Sequence, residues 1–487
     1  MATRPQTGSD YLASLDDGRV VIHDGERVAR VAEHPAFSGT ASAIASLYDS
    51  LHAEDGTADA LLAPTADGTG VTHRFWAVPQ SADDLRGQRE AIRAWQRQTN
   101  GWLGRTPEFM ACVITSMAAH APFFGRFEGN VRAALARDQR DVTHYAQALV
   151  NPPVDRELPP DEVGDVFLHV VRETDAGLVV RGAKAVVTGA ATAQRLLVSH
   201  FGGEVQTDGF AIAASVPVAT SGLRIFTRGT PFRADQPLAS RFQEHDALVV
   251  FDDVLIAWDD VLIHDAETML AYNRGAVGWN ARLAFQAATR LEAKLEHVAG
   301  LAVRAVEIMG TEERRGTQAA LGELIAFRHT VAGLRDAMIE QAVPSGDSVL
   351  PGIDSAMAFS ALAPDAYSRM RVSLETVLSS ALAHLPVPQG ALGSDELAGL
   401  EPLLRGSNGA DARERLEVVG ELWDAIGTGF GARHELYERS YWGQPERTHV
   451  GVLGLARATG RIAEWQARRH GSDAAPTTHP TADRIRA

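Results

Sequence analysis

The chain has 487 residues, and 62 acidic against 46 basic side chains give it a net charge of -16. This length predicts two or three packed units rather than one core, and the negative charge opposes the phosphate attraction on which nucleic-acid binding depends. Cys112 is the one cysteine, which excludes an intrachain disulfide, a cysteine-only zinc site and a multi-cysteine iron–sulfur cluster.

Neither a membrane helix nor a signal peptide is predicted. No segment approaches the roughly 20 uninterrupted apolar residues of a membrane span, and the N-terminus has no cationic start before an apolar core. We therefore expect a cytoplasmic protein. Because one cysteine cannot hold an iron–sulfur cluster, we also expect any redox chemistry to use a bound organic cofactor. Cys112 lies among apolar residues, so an inert buried thiol is expected there.

The first third of the chain is expected to be mainly helical. Apolar positions recur at near-helical spacing in 36–52 and 82–138. Before them, 4–8 suggests a capped helix, and the alternating residues around Asp24-Gly25 predict a short hairpin. We predict an N-terminal helical domain over residues 1–149.

The middle of the chain has a different pattern. Short β-branched runs are separated by Gly, Asp and Pro, as is typical of a small antiparallel barrel or sandwich. The predicted strands are 166–171, 178–187, 195–200, 210–216, 223–226 and 247–256. We predict a middle β-barrel domain over residues 150–270.

After residue 278 the pattern returns to long helical periodicity. The predicted helices are 279–309, 318–343, 366–384 and 411–439, and the Gly- and Pro-containing breaks between them suit an antiparallel bundle. We predict a helical bundle over residues 271–470, followed by a disordered tail over 471–487 that has little to bury. The predicted fold is mainly α with an inserted β barrel.

Two polar segments outline a possible ligand pocket. Arg105 comes two residues before Pro107, which is expected to open an apolar helix. It can be a surface arginine or a guanidinium fork facing an anion. The prolines of 151–156 fix an extended segment, which suits either a rigid ligand-binding loop or a domain linker. Its Asp155-Arg156 pair can orient a ligand or form a salt bridge, and the salt bridge is the commoner outcome.

A glycine-rich turn lies at 427–431. The preceding residues are helical, which argues against a dinucleotide-binding Rossmann motif. The turn can let phosphates approach backbone N–H groups at a helix start, with Arg433 as a cationic partner, although a plain helix–helix connection is favoured on this evidence alone. His434-Glu435 lacks the second histidine of a zinc-protease helix, and no metal site is predicted.

Together these motifs resemble the 4-hydroxyphenylacetate 3-hydroxylase family of two-component, FADH2-dependent monooxygenases. The matching segments, in order, are 4–12, 105–107, 151–156, 173–178, 182–184, 250–254, 423–424 and 430–439. The resemblance implies an acyl-CoA-dehydrogenase-like fold, with N-terminal helices, a middle β barrel and a C-terminal four-helix bundle. It also implies a homotetramer or homodimer.

The resemblance further implies the oxygenase component of such an enzyme. FAD as FADH2 would arrive by diffusion from a separate NAD(P)H:flavin reductase, and its C4a-hydroperoxide would oxygenate a small molecule with O2 as cosubstrate. The implied flavin contacts are Gln147, Ala148, Leu149, Pro153, Val154, Asp155, Arg156, Thr188, Gly427, Thr428, Gly429 and Phe430, and Arg433 joins them as the cationic partner of the glycine-rich turn. The implied substrate contacts are Arg105, Phe109, His200 and Phe201.

The resemblance implies catalytic positions at Arg105, Phe109 and Gln147. Two of these, Phe109 and Gln147, depart from the family pattern. Family phenol hydroxylases commonly carry Tyr where this chain has Phe109, and several carry His where it has Gln147. Phe cannot hydrogen-bond and Gln cannot titrate near neutral pH. On a helix His144 would share a face with Gln147, but it is displaced by about one turn, so we do not expect it to replace that histidine. We therefore predict a small aromatic, heteroaromatic or amino-acid-derived substrate of specialised metabolism, such as an indole, pyrrole or amine, rather than an ordinary phenol.

Two alternatives remain open. One is a flavin-dependent dehydrogenase or oxidase of the same fold, and the other is a catalytically silent flavin-fold binding subunit. The related radical dehydratase of this fold requires several cysteines and is excluded by the single Cys112.

Overall fold

The computed structural model describes residues 3–200, 205–229, 236–383, 392, 394–395 and 399–468. The predicted substrate contact Phe201 and the predicted tail 471–487 lie outside these residues. Within them, no helix combines the length and apolar character needed to span a membrane.

The N-terminal part is mainly helical, as predicted. Its helices are α1 (Gly8–Ser14), α2 (Pro35–Ser50), α3 (Thr57–Leu61), α4 (Ala82–Gln98), α5 (Ala111–Ala119) and α6 (Glu128–Asp141). Its strands are β1 (Val21–His23), β2 (Glu26–Arg27), β3 (Leu62–Pro64), β4 (Val71–His73) and β5 (Tyr145–Ala148). Thr7 caps α1 by accepting a hydrogen bond from the Asp10 N–H. Asp24 and Gly25 both have positive φ, and they form the predicted turn between β1 and β2.

The middle part contains two sheets. Its strands are β6 (His169–Thr174), β7 (Gly177–Lys184), β8 (Arg195–Val198), β9 (Ile212–Pro217), β10 (Leu223–Thr227), β11 (Ala247–Ala257) and β12 (Val261–His264), with helices α7 (Ala239–Phe242) and α8 (Ala266–Asn273). The sheet orders are β2-β1-β10-β11-β7-β6 and β12-β9-β8-β5. Each predicted strand is present, although the first begins at His169 rather than at 166. Because β1, β2 and β5 join these sheets, the predicted boundary at residue 150 remains a prediction.

The C-terminal part is a helical bundle with one small hairpin. Its elements are α9 (Trp279–Met309), α10 (Arg315–Glu340), β13 (Val343–Ser345), β14 (Ser348–Leu350), α11 (Ile353–Leu378), α12 (Ser380–Ala383), α13 (Glu401–Leu404), α14 (Ala412–Ile426), α15 (Gly429–Ser440), α16 (Pro445–Ala458) and α17 (Arg461–Arg468). The bounds of α9 are those predicted. Helix α11 begins at 353 rather than 366, and it continues through the buried Pro364.

Helix α9 lies at the centre of the molecule and packs against α4, α5, α10, α11 and α14. Its buried face carries four polar residues at helical spacing: Arg282, Gln286, Arg290 and Lys294. Buried charges of this kind need hydrogen-bonding or charged partners. Those of Arg290 and Lys294 come from α15, so α9 and α15 together position the polar interior described next.

Candidate functional site

Arg105 lies in an irregular segment between α4 and α5. Pro107 does not open the helix as predicted, because 107–110 form a turn and α5 begins at Ala111. The buried Glu244 carboxylate fixes this segment by accepting hydrogen bonds from the N–H groups of Gly104 (2.9 Å) and Arg105 (2.7 Å). The Arg105 backbone is thus held by a residue from the middle part of the chain.

The Arg105 guanidinium is available to a ligand. Its Nη1 donates to Tyr437 Oη (2.7 Å) and to the Gly104 carbonyl (3.2 Å), and its Cζ lies 4.3 Å from the centre of the Phe109 ring. Among the described residues, no carboxylate oxygen lies within 4.0 Å of it, and its buried Nε has no hydrogen-bond partner. A guanidinium fork with unshared donors suits an anion better than a purely structural role.

The ring of Tyr437 is surrounded by cations. The charged groups of Arg290, Arg105, Arg433 and Lys294 lie 5.2, 5.5, 5.6 and 5.8 Å from its centre. Tyr437 was not among the predicted site residues. It follows Arg433 by four positions on α15, so the two share one helix face, and this spacing could have identified it.

Thr188 and Arg433, two predicted flavin contacts, meet through Asp246. The Arg433 Nη2 and the Thr188 hydroxyl both donate to Asp246 Oδ1, at 2.9 and 2.7 Å. Burial alone would raise the pKa of Asp246, but the Arg433 guanidinium outweighs burial and the pKa is lowered. The structure therefore brings Thr188 and Arg433 together through a carboxylate that the sequence analysis did not single out.

The glycine-rich turn joins α14 to α15, which is the helix–helix connection that the sequence favoured. Thr428 caps α15 and donates to Asp424 Oδ1 (2.7 Å). A Cβ on Gly427 would lie 2.0 Å from the Trp423 ring, so packing against that ring requires glycine here. Phe430 is buried, whereas Gly429 is exposed and leaves the start of α15 open. Phosphate binding at this helix start remains a prediction.

Gln147 lies on strand β5, not on a helix. Side chains alternate along a strand, so Gln147 shares a face with Tyr145 and not with His144. His144 is buried, and its ring nitrogens contact the carbonyl oxygens of Arg105 (Nε2, 2.8 Å) and Thr192 (Nδ1, 3.1 Å). The expectation that His144 and Gln147 would share a helical face was therefore wrong, and His144, which was not expected to replace the missing histidine, contacts the Arg105 main chain instead.

The Asn-Pro loop is exposed over its second half. Pro153, Val154, Asp155 and Arg156 are all solvent-accessible, and among the described residues Asp155 and Arg156 form no salt bridge with each other. Of the other predicted contacts, Ala148 is buried, Leu149 is partly buried, and the buried His200 lies just beyond β8, the strand that pairs with β5. Within the loop the Val154 N–H donates to the Pro152 carbonyl and the Asp155 carbonyl accepts from Leu158, so the exposed surface of residues 153–156 is what a ligand can reach.

Lysine is rare in this chain, and both of its lysines are buried. Lys184 and Lys294 are the two lysines among 46 basic residues of the Lys and Arg types, and their exposed fractions are 3% and 0%. Lys184 Nζ donates to Asn151 Oδ1 (2.9 Å) and to the Leu149 carbonyl (3.2 Å), so it fixes the start of the Asn-Pro loop. An ammonium is compact and can lose its proton, whereas a guanidinium cannot. The scarcity of lysine was a signal that the sequence analysis missed.

We expect Lys184 to make stability depend on pH. Burial lowers the pKa of its ammonium to about 7, so between about pH 7 and 10.5 the unfolded chain binds more protons and stability rises with pH. Relative to Lys184→Met, the wild-type free energy of unfolding should increase by roughly 2–4 kcal/mol across this range. Denaturant titrations of both proteins at several pH values measure this difference. Parallel curves would contradict it, and Lys294, present in both proteins, cancels in the comparison.

The chain matches known proteins over nearly its whole length. Models of the 4-hydroxyphenylacetate 3-hydroxylase N-terminal and C-terminal domains match residues 7–263 and 275–467. A Streptomyces globisporus monooxygenase for (3S)-3-amino-3-(3-chloro-4-hydroxyphenyl)propanoyl on the peptidyl-carrier protein SgcC2 is 41% identical, over 95% of this chain and 90% of its own length. The 4-nitrophenol 2-monooxygenase oxygenase component of a Rhodococcus species is 39% identical, over 94% and 90%.

A solved structure of the same family superposes closely. It is the oxygenase component HpaB of 4-hydroxyphenylacetate 3-monooxygenase in complex with FAD and 4-hydroxyphenylacetate, with a TM-score of 0.88, 28% identity, and coverage of 96% of this chain and 99% of that one. These matches confirm the predicted family and the mainly helical fold with an inserted β unit. The chain belongs to the 4-hydroxyphenylacetate 3-hydroxylase family, and it is a flavin-dependent monooxygenase.

Proposed function

We propose that this chain is the oxygenase component of a two-component monooxygenase that uses reduced FAD and O2 to oxygenate a small aromatic, heteroaromatic or amino-acid-derived substrate. The observation that carries the proposal is the Arg105 guanidinium, stacked on Phe109 and free of any carboxylate partner within the described residues. Because the chain belongs to a monooxygenase family, we expect the anion bound at Arg105 to be part of the molecule that is oxygenated.

The residues present fit FAD. The exposed Pro153–Arg156 backbone offers polar groups to a planar ring, and the open start of α15 at Gly429 suits phosphate. Arg433 adds a buried Nη1 that has no hydrogen-bond partner and lies 3.6 Å from Glu244 Oε2. Reduced FAD, when bound, supplies the electrons that split O2 between product and water. Thr188 and Asp246 would hold Arg433 in place beside it.

The substrate proposal follows from three side chains. Arg105 binds an anionic group such as a carboxylate, Phe109 packs an apolar ring, and Gln147 offers an amide that hydrogen-bonds without titrating. The two relatives described above act on phenols by their names. Without Tyr and His at positions 109 and 147, this chain better suits an indole, a pyrrole or an amine nitrogen in a molecule that also carries a carboxylate.

The enzyme needs a reductase, and we propose that a separate NAD(P)H:flavin reductase delivers reduced FAD by diffusion. We also propose a homotetramer or homodimer. Its support is a groove of about 360 Å³ between α10, α11 and α16, with apolar side chains such as Leu362 and Val450 more than half exposed nearby. Sedimentation of the purified protein measures its assembly state.

Labelled oxygen tests the proposed function. The purified protein is given reduced FAD, isotopically labelled O2 and a panel of carboxylate-bearing indoles, pyrroles, amines and phenols. One labelled oxygen atom in a product, with the nitrogen compounds preferred over the phenols, is the expected result. Hydrogen peroxide with an unlabelled, desaturated product would instead indicate a dehydrogenase or oxidase. Failure to bind reduced FAD would indicate a silent binding subunit.

A further inference from the structure

Tyr437 carries a hydroxyl group that lies beside the Arg105 guanidinium. Its oxygen accepts a hydrogen bond from Arg105 Nη1 at 2.7 Å. Among the described residues, no oxygen or nitrogen is positioned to accept the proton of this hydroxyl. The phenol is thus oriented by Arg105 through its oxygen, while its proton remains available to a ligand bound at Arg105.

The groups around Tyr437 keep its hydroxyl protonated at neutral pH. They would also stabilise the phenolate that forms if the proton is transferred. Burial raises the pKa of the phenol above its usual value, although Arg105 and Arg290 oppose the rise. Tyr437 is therefore a neutral acid at neutral pH. A phenolate formed during the reaction would be stabilised chiefly by Arg105, because Arg290 and Lys294 are paired with Glu438 and Arg433 is paired with Asp246.

The other charged or titratable groups that face Tyr437 do not remove this effect. Glu244 and Glu438 raise its pKa, but each is also bound by other groups, the first by two backbone N–H groups and the second by Arg290 and Lys294. The pKa of the buried His434 is lowered well below its usual value by burial and by Lys294, so it is neutral. The Tyr441 ring lies 5.3 Å away and is uncharged.

Phe109, Gln147 and His144 are poor proton donors. Phe109 has no polar atom, and an amide such as Gln147 does not titrate near neutral pH. Both ring nitrogens of His144 contact backbone carbonyls. The buried Glu108 carboxyl is bound at Oε1 by its neighbour Thr106 and by two glutamine amides, whereas its Oε2 has no hydrogen-bond partner and burial raises the pKa of the carboxyl.

We propose that Tyr437 takes over the proton-donating role that position 109 cannot perform, an inference that rests on the proposed function of Arg105. In the net reaction, the substrate S–H, O2 and FADH2 give S–OH, water and FAD. Tyr437 Oη lends a proton to the oxygen atom that leaves as water. It regains a proton when the substrate loses its own at the oxygenated atom, and Arg105 stabilises the phenolate in between. No additional oxidant or reductant is needed.

Tyr437→Phe tests the proposal, with Tyr441→Phe as its matched control. Tyr441 lies one turn further along the chain, and its buried hydroxyl has no hydrogen-bond partner. In Tyr437→Phe, affinity for reduced FAD and for the carboxylate substrate should stay within a few-fold of wild type. Product formed per O2 consumed should fall by about 10² or more, with hydrogen peroxide in its place. Tyr441→Phe should couple O2 to product as wild type does.

A fluorinated tyrosine at position 437 gives an independent readout. It keeps the hydroxyl and its hydrogen bond but lowers the phenol pKa, so the alkaline fall in product yield should move to lower pH. If Tyr437→Phe does not fold, this variant alone decides. Unchanged coupling in Tyr437→Phe, or an unmoved pH profile in the fluorinated protein, would overturn the role of Tyr437. Absence of labelled product from wild type would overturn the proposed function instead.

Discussion

Glu438→Gln is expected to lower the free energy of unfolding by about 3–5 kcal/mol, because it leaves two buried cations without their carboxylate. The Glu438 oxygens contact Arg290 Nη1 and Nη2, both at 2.7 Å, and Lys294 Nζ at 2.5 Å. All three side chains are at most 5% exposed. Removing one member of a buried charged group lowers the free energy of unfolding far more than replacing the whole group by apolar residues would.

The pH dependence of this group has a defined direction. Burial would raise the pKa of Glu438, but Arg290 and Lys294 lower it to about 2. Since this lies below the unfolded value, the stabilisation is present above about pH 4.5 and is lost as pH falls toward 2. Burial, which outweighs the attraction of Glu438, lowers the pKa of Lys294 to about 8. The neighbouring Arg290 guanidinium adds to this lowering of the pKa.

Denaturant unfolding of wild type and variant measures the loss. Glu446→Gln makes the same chemical change at an exposed position on α16 and should alter stability by no more than about 0.5 kcal/mol. A comparable loss in both variants would mean that overall charge, not the buried group, determines the effect. As the pH falls from about 4.5 toward 2, the wild type and Glu438→Gln should converge.

Arg105→Ala is expected to lower kcat/KM for a carboxylate-bearing substrate by about 10²-fold, which corresponds to a charge-assisted hydrogen bond of roughly 3 kcal/mol. Binding of reduced FAD should remain within a few-fold of wild type. Arg105→Lys restores the charge without the planar fork, so an intermediate value is expected. The measurement compares the carboxylate substrate with its neutral amide in each protein.

The neutral amide makes this a double-mutant cycle. If Arg105 binds the carboxylate, the amide should already be a poor substrate of wild type, and Arg105→Ala should affect it little. An equal loss for both substrates would show that Arg105 acts on the fold of the pocket. Unchanged kinetics with the carboxylate would remove it from the substrate site.

Local sequence patterns predicted much of the fold. Helix α9 was predicted with its exact bounds because glycines flank a long stretch of helical periodicity. The strand at 145–148 was not predicted, because it is four residues long and pairs with β8 some 50 residues later. The early start of α11 was missed because Pro364 reads as a helix break, yet it lies inside the helix.

The candidate site was less accessible to sequence reasoning. Arg105 and Arg433 were singled out by their local patterns, a proline nearby and a glycine-rich turn, whereas Thr188 entered only through the family resemblance. Glu244 and Asp246 hold them across separations of 139 and 187 residues. Contacts over such separations leave no periodic pattern in the local sequence. By contrast, the placement of Arg433 and Tyr437 on one helix face could be read from their spacing of four residues.

The clamping of the Arg105 main chain has a consequence for directed evolution. Glu244 binds two backbone N–H groups at this segment, and His144 contacts the Arg105 carbonyl, so the position of the Arg105 main chain does not depend on the side chains at 109 and 147. A library that varies Phe109 and Gln147 while keeping Glu244 and His144 should therefore explore new substrate shapes around an arginine whose main chain stays in place. Randomising Glu244 and His144 would instead displace the Arg105 main chain in most clones.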